Sequence, residues 1–226
     1  MKLENNLPYH KFEKLNIKPL QDSLSSIDSK LWNFQTSRQI GLLTPHRHTT
    51  SLTLQYCPGE PEVDKKYLKY DKNKHFWINA IHLYKDYIRP STPESFPNDI
   101  KEIEEVIIDQ QLNYYTKILI GQLEEKFDGK SGLVIYANLP PNKKIPKHSD
   151  PGYYLSIVHR LHIPIFTNEN CYFHLDDTTI HMEEGRLYEI NNLMNHSVEN
   201  KGDSDRVHLI VDIIPNSILS TIETSL

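Results

Sequence analysis

The feature that most constrains the fold is the rhythm of residues 131–215. Short apolar and β-branched runs follow one another there: Leu133–Ala137, Leu155–Ile165, Tyr172–Leu175, Thr179–Met182, Leu187–Ile190 and Val207–Ile214. Between them stand Pro140-Pro141-Asn142, Asp150-Pro151-Gly152, Asn168-Glu169-Asn170, Glu184-Gly185 and Lys201-Gly202-Asp203. Proline fixes φ, glycine reaches positive φ, and Asn and Asp bond to their own backbone, so each break turns the chain. No helical crossover fits between the runs, which disfavours a parallel sheet. A mainly β fold is expected, an antiparallel sandwich or barrel with helices packed outside.

The preceding half is more mixed. Residues 1–37 read as polar and irregular, and Ser51–Tyr56 alternates apolar and polar residues as a half-buried strand does. Residues 75–88 are rich in aromatic and β-branched side chains, and a Pro/Ser-rich loop, Pro90 to Pro97, leads into a helix over about residues 98–128. Asn98 suits its cap, Asp99 and Glu102 its first turn, and Gly129 its end. Ile100, Ile103, Ile107, Leu112, Tyr115, Leu119 and Leu123 give it one buried stripe. Residues 1–226 are therefore expected to form a single domain. Residues 1–130 would be an N-terminal elaboration with the first strands and the supporting helix, and residues 131–216 the core carrying the site.

Composition narrows the function. With 38% hydrophobic and 24% charged residues the chain is not of the disordered class. A net charge of -5 argues against nucleic acid as a partner. No run of apolar residues suits a membrane span, and no apolar stretch of signal-peptide type follows Met1-Lys2-Leu3. Cys57 and Cys171 make neither a disulfide framework nor a metal quartet, so a cytoplasmic chain with reduced cysteines is expected.

The 12 histidines carry the chemistry. In His148-Ser149-Asp150 the outer residues point the same way on a strand end and can share a metal. His174-Leu175-Asp176 and His181-Met182-Glu183 have the same spacing, and the bland reading of each triplet is a turn histidine beside a solvated acid. The distance to a second histidine separates them. His196 lies 48 positions after His148, room for about four strands and a return to the opposite strand, but only 22 and 15 after His174 and His181. His148, Asp150 and His196 are thus the preferred metal set, two histidines and one carboxylate that hold one face of an octahedral Fe(II). Arg206, one turn later, suits a carboxylate through its planar fork, or else is a strand-start arginine in water. Arg160 and His162 share one strand face, which implies a polar lumen fit for an anionic co-substrate.

With these elements placed, the chain resembles the aspartyl/asparaginyl β-hydroxylase family of Fe(II)/2-oxoglutarate dioxygenases. The resemblance rests on Leu139-x-Pro141, Ile145, His148, Arg160-x-His162 with Ile163-Pro164, Gly185, His196, Asn200, Arg206 and Leu209-Ile210-Val211-Asp212. It implies a double-stranded β-helix, a jelly-roll or cupin-like barrel, whose lumen holds Fe(II) and 2-oxoglutarate. By position His148 and His196 would be iron ligands, and Arg206, Arg160 and His162 would hold the co-substrate's carboxylates. The implied reaction uses O2 to convert 2-oxoglutarate to succinate and CO2 while an amino acid, free or within a peptide, is hydroxylated. Three positions depart from the family pattern. Ala137 stands where a serine often helps hold 2-oxoglutarate, leaving Tyr136 or Asn138 to replace it. Asn191-Asn192-Leu193-Met194-Asn195 replaces an acidic stretch, and Asp150 stands where protein-modifying members carry glycine, which turns the reading toward a small-molecule substrate.

Other features read as structural. Thr44-Pro45-His46-Arg47-His48-Thr49 is a polar turn able to meet an acidic substrate, and His159 and His208 are expected to alternate away from the site. His75 and His82 are expected to be partly buried beside Trp77. Two rival functions use the same scaffold. A cupin-type metal enzyme without oxygen chemistry leaves Arg206 and Arg160 together unexplained, and a non-catalytic jelly-roll module predicts a damaged metal set.

Overall fold

A computed structural model describes Leu3, residues 7–27, Ser29, Trp32 and residues 45–55, 110–150 and 153–223. The aromatic stretch 75–88, the Pro/Ser loop and the helix start at residues 98–109 lie outside these residues.

The turn-separated runs become strands β3 (Gly129–Leu139), β4 (Lys143–His148), β5 (His159–Phe166), β6 (Cys171–Leu175), β7 (Thr178–Ile180), β8 (Arg186–Ile190), β9 (His196–Asn200) and β10 (Arg206–Pro215). Two earlier strands, β1 (Tyr9–Lys14) and β2 (Thr50–Gln55), join them. All pairings are antiparallel. They make a six-stranded sheet, β1-β8-β5-β10-β3-β2, and a four-stranded sheet, β4-β9-β6-β7. Chain order alternates between the sheets from β3 to β10, apart from the β6–β7 hairpin. The fold is a double-stranded β-helix, with β1 and β2 added at the two edges of the larger sheet.

Period-two alternation gives the larger sheet two different faces. Its outer face, with Leu52, Tyr136, Leu161, Ile163 and Leu209 in one cluster, is covered by helices α1 (Lys18–Ser26) and α2 (Gln110–Lys126). Burying each such side chain contributes roughly 1.5–3 kcal/mol. On α2 the buried residues are Leu112, Thr116, Leu119 and Leu123, spaced for one helical stripe. Thr116 is tolerated because its hydroxyl bonds the Leu112 carbonyl at 2.6 Å and the Tyr136 hydroxyl at 2.7 Å. The inner faces of both sheets meet in a second cluster that includes Leu139, Ile145, Phe173, Tyr188, Ile190 and Val198.

Four sequence expectations are corrected. Residues 9–14 and 18–26 are regular, not irregular. β1 is an edge strand with no fully buried residue, and α1 is short and mostly polar, burying Leu20, Ser23 and Leu24 alone, so neither carries a strong periodic signal. The run Leu155–Ile165 splits into a one-turn helix, α3 (Tyr153–Ile157), and β5. β9 (His196–Asn200) is a further strand, which its polar residues hid from the pattern. Finally, Gly129 does not end α2. Asp128 takes the left-handed conformation (φ 45) there, and Gly129 opens β3, where a Cβ would lie 2.4 Å from the Ile214 carbonyl oxygen. A last helix, α4 (Asn216–Glu223), follows β10.

Candidate metal centre and anion pocket

β4 and β9 place two histidines side by side. His148 and His196 are cross-strand partners in the smaller sheet, with ring centroids 4.3 Å apart. This corrects the expected arrangement on opposite strands: the long sequence interval returns the chain to the neighbouring strand. Asp150 follows directly after β4. Its Oδ1 lies 3.7 Å from His148 Nε2 and its Oδ2 3.9 Å from His196 Nε2. The candidate ligand atoms of the three residues all lie within 4.8 Å of one another, the one such group among the described residues.

The two rings are held in the same tautomer. His148 Nδ1 meets the Pro146 carbonyl at 2.7 Å and His196 Nδ1 the Met194 carbonyl at 3.0 Å. A carbonyl only accepts, so each Nδ1 donates and each Nε2 keeps a lone pair aimed at the common centre. His148 Nε2 is buried and makes no hydrogen bond. Burial holds the His196 pKa below its ordinary value, with Asp150 opposing, so that ring stays neutral, as a ligand must be. Two imidazole nitrogens and one carboxylate converging on one point, with no hydrogen-bond partner for His148 Nε2 among the described residues, fit a divalent transition metal.

The Asn191–Asn195 departure has a local explanation. The Asn192 carbonyl accepts from the Asp150 amide at 3.0 Å, and the Asn192 side chain donates to the Leu155 carbonyl at 3.0 Å. With Met194 aligning His196, this loop ties Asp150, α3 and β9 together through amides where acidic residues were expected.

β10 presents Arg206, His208, Ile210 and Asp212 to the lumen on alternate residues, facing Pro164, His162 and Arg160 on β5 for the last three. Arg206 is 4% exposed and is followed along the strand by His208, whose Nδ1 accepts from Arg206 Nη2 at 2.9 Å. Among the described residues no carboxylate pairs with it. Burial brings its pKa down to about 10, so it remains charged at neutral pH. His208 must then carry its proton on Nε2, and burial together with Arg206 keeps it neutral, its pKa well below 6.5. The expectation that His208 alternates away from the site is thereby overturned; His159 does alternate away, bonding Glu189 at 2.7 Å on the outer face.

Arg160 and His162 also face the lumen. His162 is buried, edge-on to Phe173 and His208. The Arg160 guanidinium is committed within the protein: Nε and Nη2 reach Asp212 at 2.9 and 2.8 Å, and Nη1 reaches Asp150 Oδ2 at 2.5 Å. Ala137 lies on the same face, beside Ser51 across the β2–β3 ladder. Tyr136 does not replace the missing serine, since it belongs to the outer cluster with its hydroxyl on Thr116. Asn138 donates to Asp205 at 3.2 Å.

His46, read from sequence as part of a solvated turn, lines the same cleft, edge-on to His148 at 5.1 Å. The cleft opens to solvent and is lined by the three candidate metal ligands, Arg160, His162 and Arg206 together. The rival triplets do not converge. His174 bonds Thr179 and Asp176 accepts from Asn195, while His181 bonds the Cys171 carbonyl. Sequence reasoning missed His208 and Asp212, although counting by twos from Arg206 reaches both.

A model of the aspartyl/asparaginyl β-hydroxylase family matches residues 64–215, about two-thirds of the chain. The chain belongs to that family. The aspartyl/asparaginyl β-hydroxylase family implies a 2-oxoglutarate-dependent hydroxylase using Fe(II) and O2, and the His148–Asp150–His196 group is present in this member. No curated protein matches it in sequence. Similar solved structures include a predicted oxalate decarboxylase from Thermotoga maritima, at 21% identity, 40% of this chain, 73% of that one and a TM-score of 0.31. A cupin domain from Bordetella pertussis is similar at 18% identity over 38% of this chain and 84% of that one, with a TM-score of 0.31. A protein with a double-stranded β-helix domain from Klebsiella pneumoniae is similar at 16% identity over 37% and 64%, with a TM-score of 0.29. Among the described residues no helix is long and apolar enough to cross a membrane.

Proposed function

We propose that this β-hydroxylase family member holds Fe(II) on His148, Asp150 and His196, pairs the distal carboxylate of 2-oxoglutarate with Arg206, and hydroxylates a free amino acid or an amino-acid side chain. When bound, the iron supplies the chemistry that couples O2 and the loss of CO2 from 2-oxoglutarate to C–H hydroxylation. The observation that carries the reading is Arg206: a charged guanidinium, 4% exposed, with no carboxylate paired to it among the described residues, in the same lumen as the metal-ligand group. A buried charge of this kind needs an anion.

The balance of charge points to the same ligand. Arg206 and Arg160 are offset by Asp150 and Asp212, and the lumen histidines with shifted pKa values, His196 and His208, are held neutral. A divalent cation on the triad then leaves two positive charges in excess, which a dicarboxylate cancels. A dianionic keto acid would satisfy both, meeting the metal at one end and pairing with Arg206 at the other. Phe173 stacks on His196 at 5.9 Å and, with Ile145 and Val198, keeps that side of the centre apolar. Asp150 in place of glycine turns the choice of substrate toward a free amino acid.

The test is a screen of free amino acids and acidic peptides with Fe(II), 2-oxoglutarate and O2, reading succinate and product mass. Succinate formation stimulated by an amino acid, with a mass gain of one oxygen, supports the reading. Absence of a visible charge-transfer band on anaerobic titration with iron and 2-oxoglutarate, and of any succinate, refutes it.

A further inference from the structure

We propose that Arg160 and Asp212 are a positioning pair for Asp150, and that Arg160 is not a grip on the keto acid. The inference rests on the metal reading of His148, Asp150 and His196 and reassigns one residue within it.

Arg160 on β5 and Asp212 on β10 are cross-strand partners. Asp212 is 0% exposed, and its two oxygens take the Nε–Nη2 edge of the guanidinium side-on. This planar two-bond contact fixes the orientation of the group, which a single-point ammonium does not achieve. The fixed plane aims Nη1 at Asp150 Oδ2. Asp150 stands at the end of β4 with its amide on the Asn192 carbonyl, so its backbone is held while its carboxylate would otherwise rotate. The Nη1 contact removes that freedom. It occupies Oδ2 and leaves Oδ1 facing His148 Nε2, the disposition of a one-oxygen metal ligand.

The same contacts argue against a co-substrate role. Of the five N–H donors of a guanidinium, three go to Asp212 and Asp150, and the side-on Nε–Nη2 edge that would grip a ligand carboxylate is taken by Asp212. A ligand carboxylate finds its bidentate edge at Arg206. Arg160 therefore acts through Asp150, as outer-shell partners of metal ligands do.

A double-mutant cycle tests this. Co(II) affinity and the visible Co(II) spectrum are measured without 2-oxoglutarate or O2 for wild type, Arg160→Lys, Asp150→Ala and the double variant. Arg160→Lys keeps the charge and loses the fork, so it is expected to weaken Co(II) about ten- to a hundredfold and to alter the spectrum. In the Asp150→Ala background the same change is expected to shift Co(II) affinity by less than about twofold, because the residue it acts through is gone. Asp212→Asn is expected to repeat the pattern. Arg160→Met with Asp212→Leu removes both charges together and provides the cycle where a single variant fails to fold. Wild-type Co(II) affinity and spectrum in folded Arg160→Lys overturn the proposal. So does an equal loss of Co(II) affinity in both backgrounds. Failure of the oxygenase reading is separate, since it is read as no succinate from the wild type.

Discussion

At the scale of single residues, the chemistry divides between Arg206 and Asp150. Arg206 is buried and positively charged, with His208 as its one side-chain hydrogen-bond partner among the described residues, and that bond aligns it. A charge-assisted bond from such a group is worth ~1.5–3 kcal/mol, so Arg206→Ala is expected to weaken 2-oxoglutarate binding about tenfold to a hundredfold. Metal affinity in the absence of 2-oxoglutarate is expected to stay near wild type, and Arg206→Lys to recover only part of the loss. Calorimetric titration of metal-loaded protein reads both; equal co-substrate affinity in wild type and Arg206→Ala removes the assignment. For Asp150 the expectation is loss of iron affinity in Asp150→Ala, with His148→Ala at least as damaging, because each offers an atom to one centre. Wild-type iron affinity and succinate yield in Asp150→Gly would instead reduce Asp150 to a turn residue and leave a two-histidine centre.

At the scale of elements, the site depends on how β3 and β10 approach each other below it. β10 pairs with β3 over most of its length and carries Arg206, His208 and Asp212 inward. Gly129 opens β3 against Ile213 and Ile214, where an added Cβ would meet a carbonyl oxygen at 2.4 Å and a side-chain methyl at 2.6 Å. The backbone oxygen cannot yield without moving β10. Gly129→Ala is therefore expected to destabilise by ~1–3 kcal/mol, since overpacking a tight contact carries that cost. For a chain of this size that lowers the melting temperature by roughly 2–12 °C, measurable by thermal unfolding. Gly121→Ala serves as the control, because its added Cβ meets nothing within 4 Å on the outer side of α2. An unchanged melting temperature in Gly129→Ala would show that the two strands are free to separate there.

At the scale of the whole molecule, burying a neutral histidine beside a fixed positive charge couples stability to pH. The pKa of His208 lies well below 6.5 in the folded state, through burial and Arg206. In the unfolded chain it returns to the ordinary value. Below about pH 6.5 the unfolded state therefore binds a proton that the folded state does not, and stability falls by about 1.4 kcal/mol per pH unit for that one group. The loss continues down to the folded pKa and is absent at higher pH. His196, lowered in the same direction, adds to it in metal-free protein. Urea unfolding of metal-free protein from pH 7.5 to pH 5 is expected to show this decline, and His208→Gln, which keeps an acceptor for Arg206, to make it shallower. A slope identical in wild type and His208→Gln would mean that His208 is protonated in the folded state.

What the residues determined by themselves was local and periodic. Turn chemistry at Pro140–Asn142, Asn168–Asn170 and Gly185 set where strands end, because those backbone preferences act without neighbours. Alternation assigned Arg160 and His162 to one face, and the 48-residue interval from His148 to His196 singled out one triplet among three. Counting by twos from Arg206 puts His208 and Asp212 on its face, against the expectation that His208 alternates away, and the β5–β10 pairing shows that this face is the lumen. Tertiary structure decided the rest, because it depends on which distant segments pair. β1 and α1 exist through contacts with β8 and the outer core, not through a strong pattern of their own. His148 meets His196 across adjacent strands, a register set by the β4–β9 ladder. Arg160 is committed to Asp150 and Asp212 because the β5–β10 register brings a buried carboxylate opposite it. A guanidinium binds whichever anion the fold places nearest, and no reading of the chain in one dimension contains that distance.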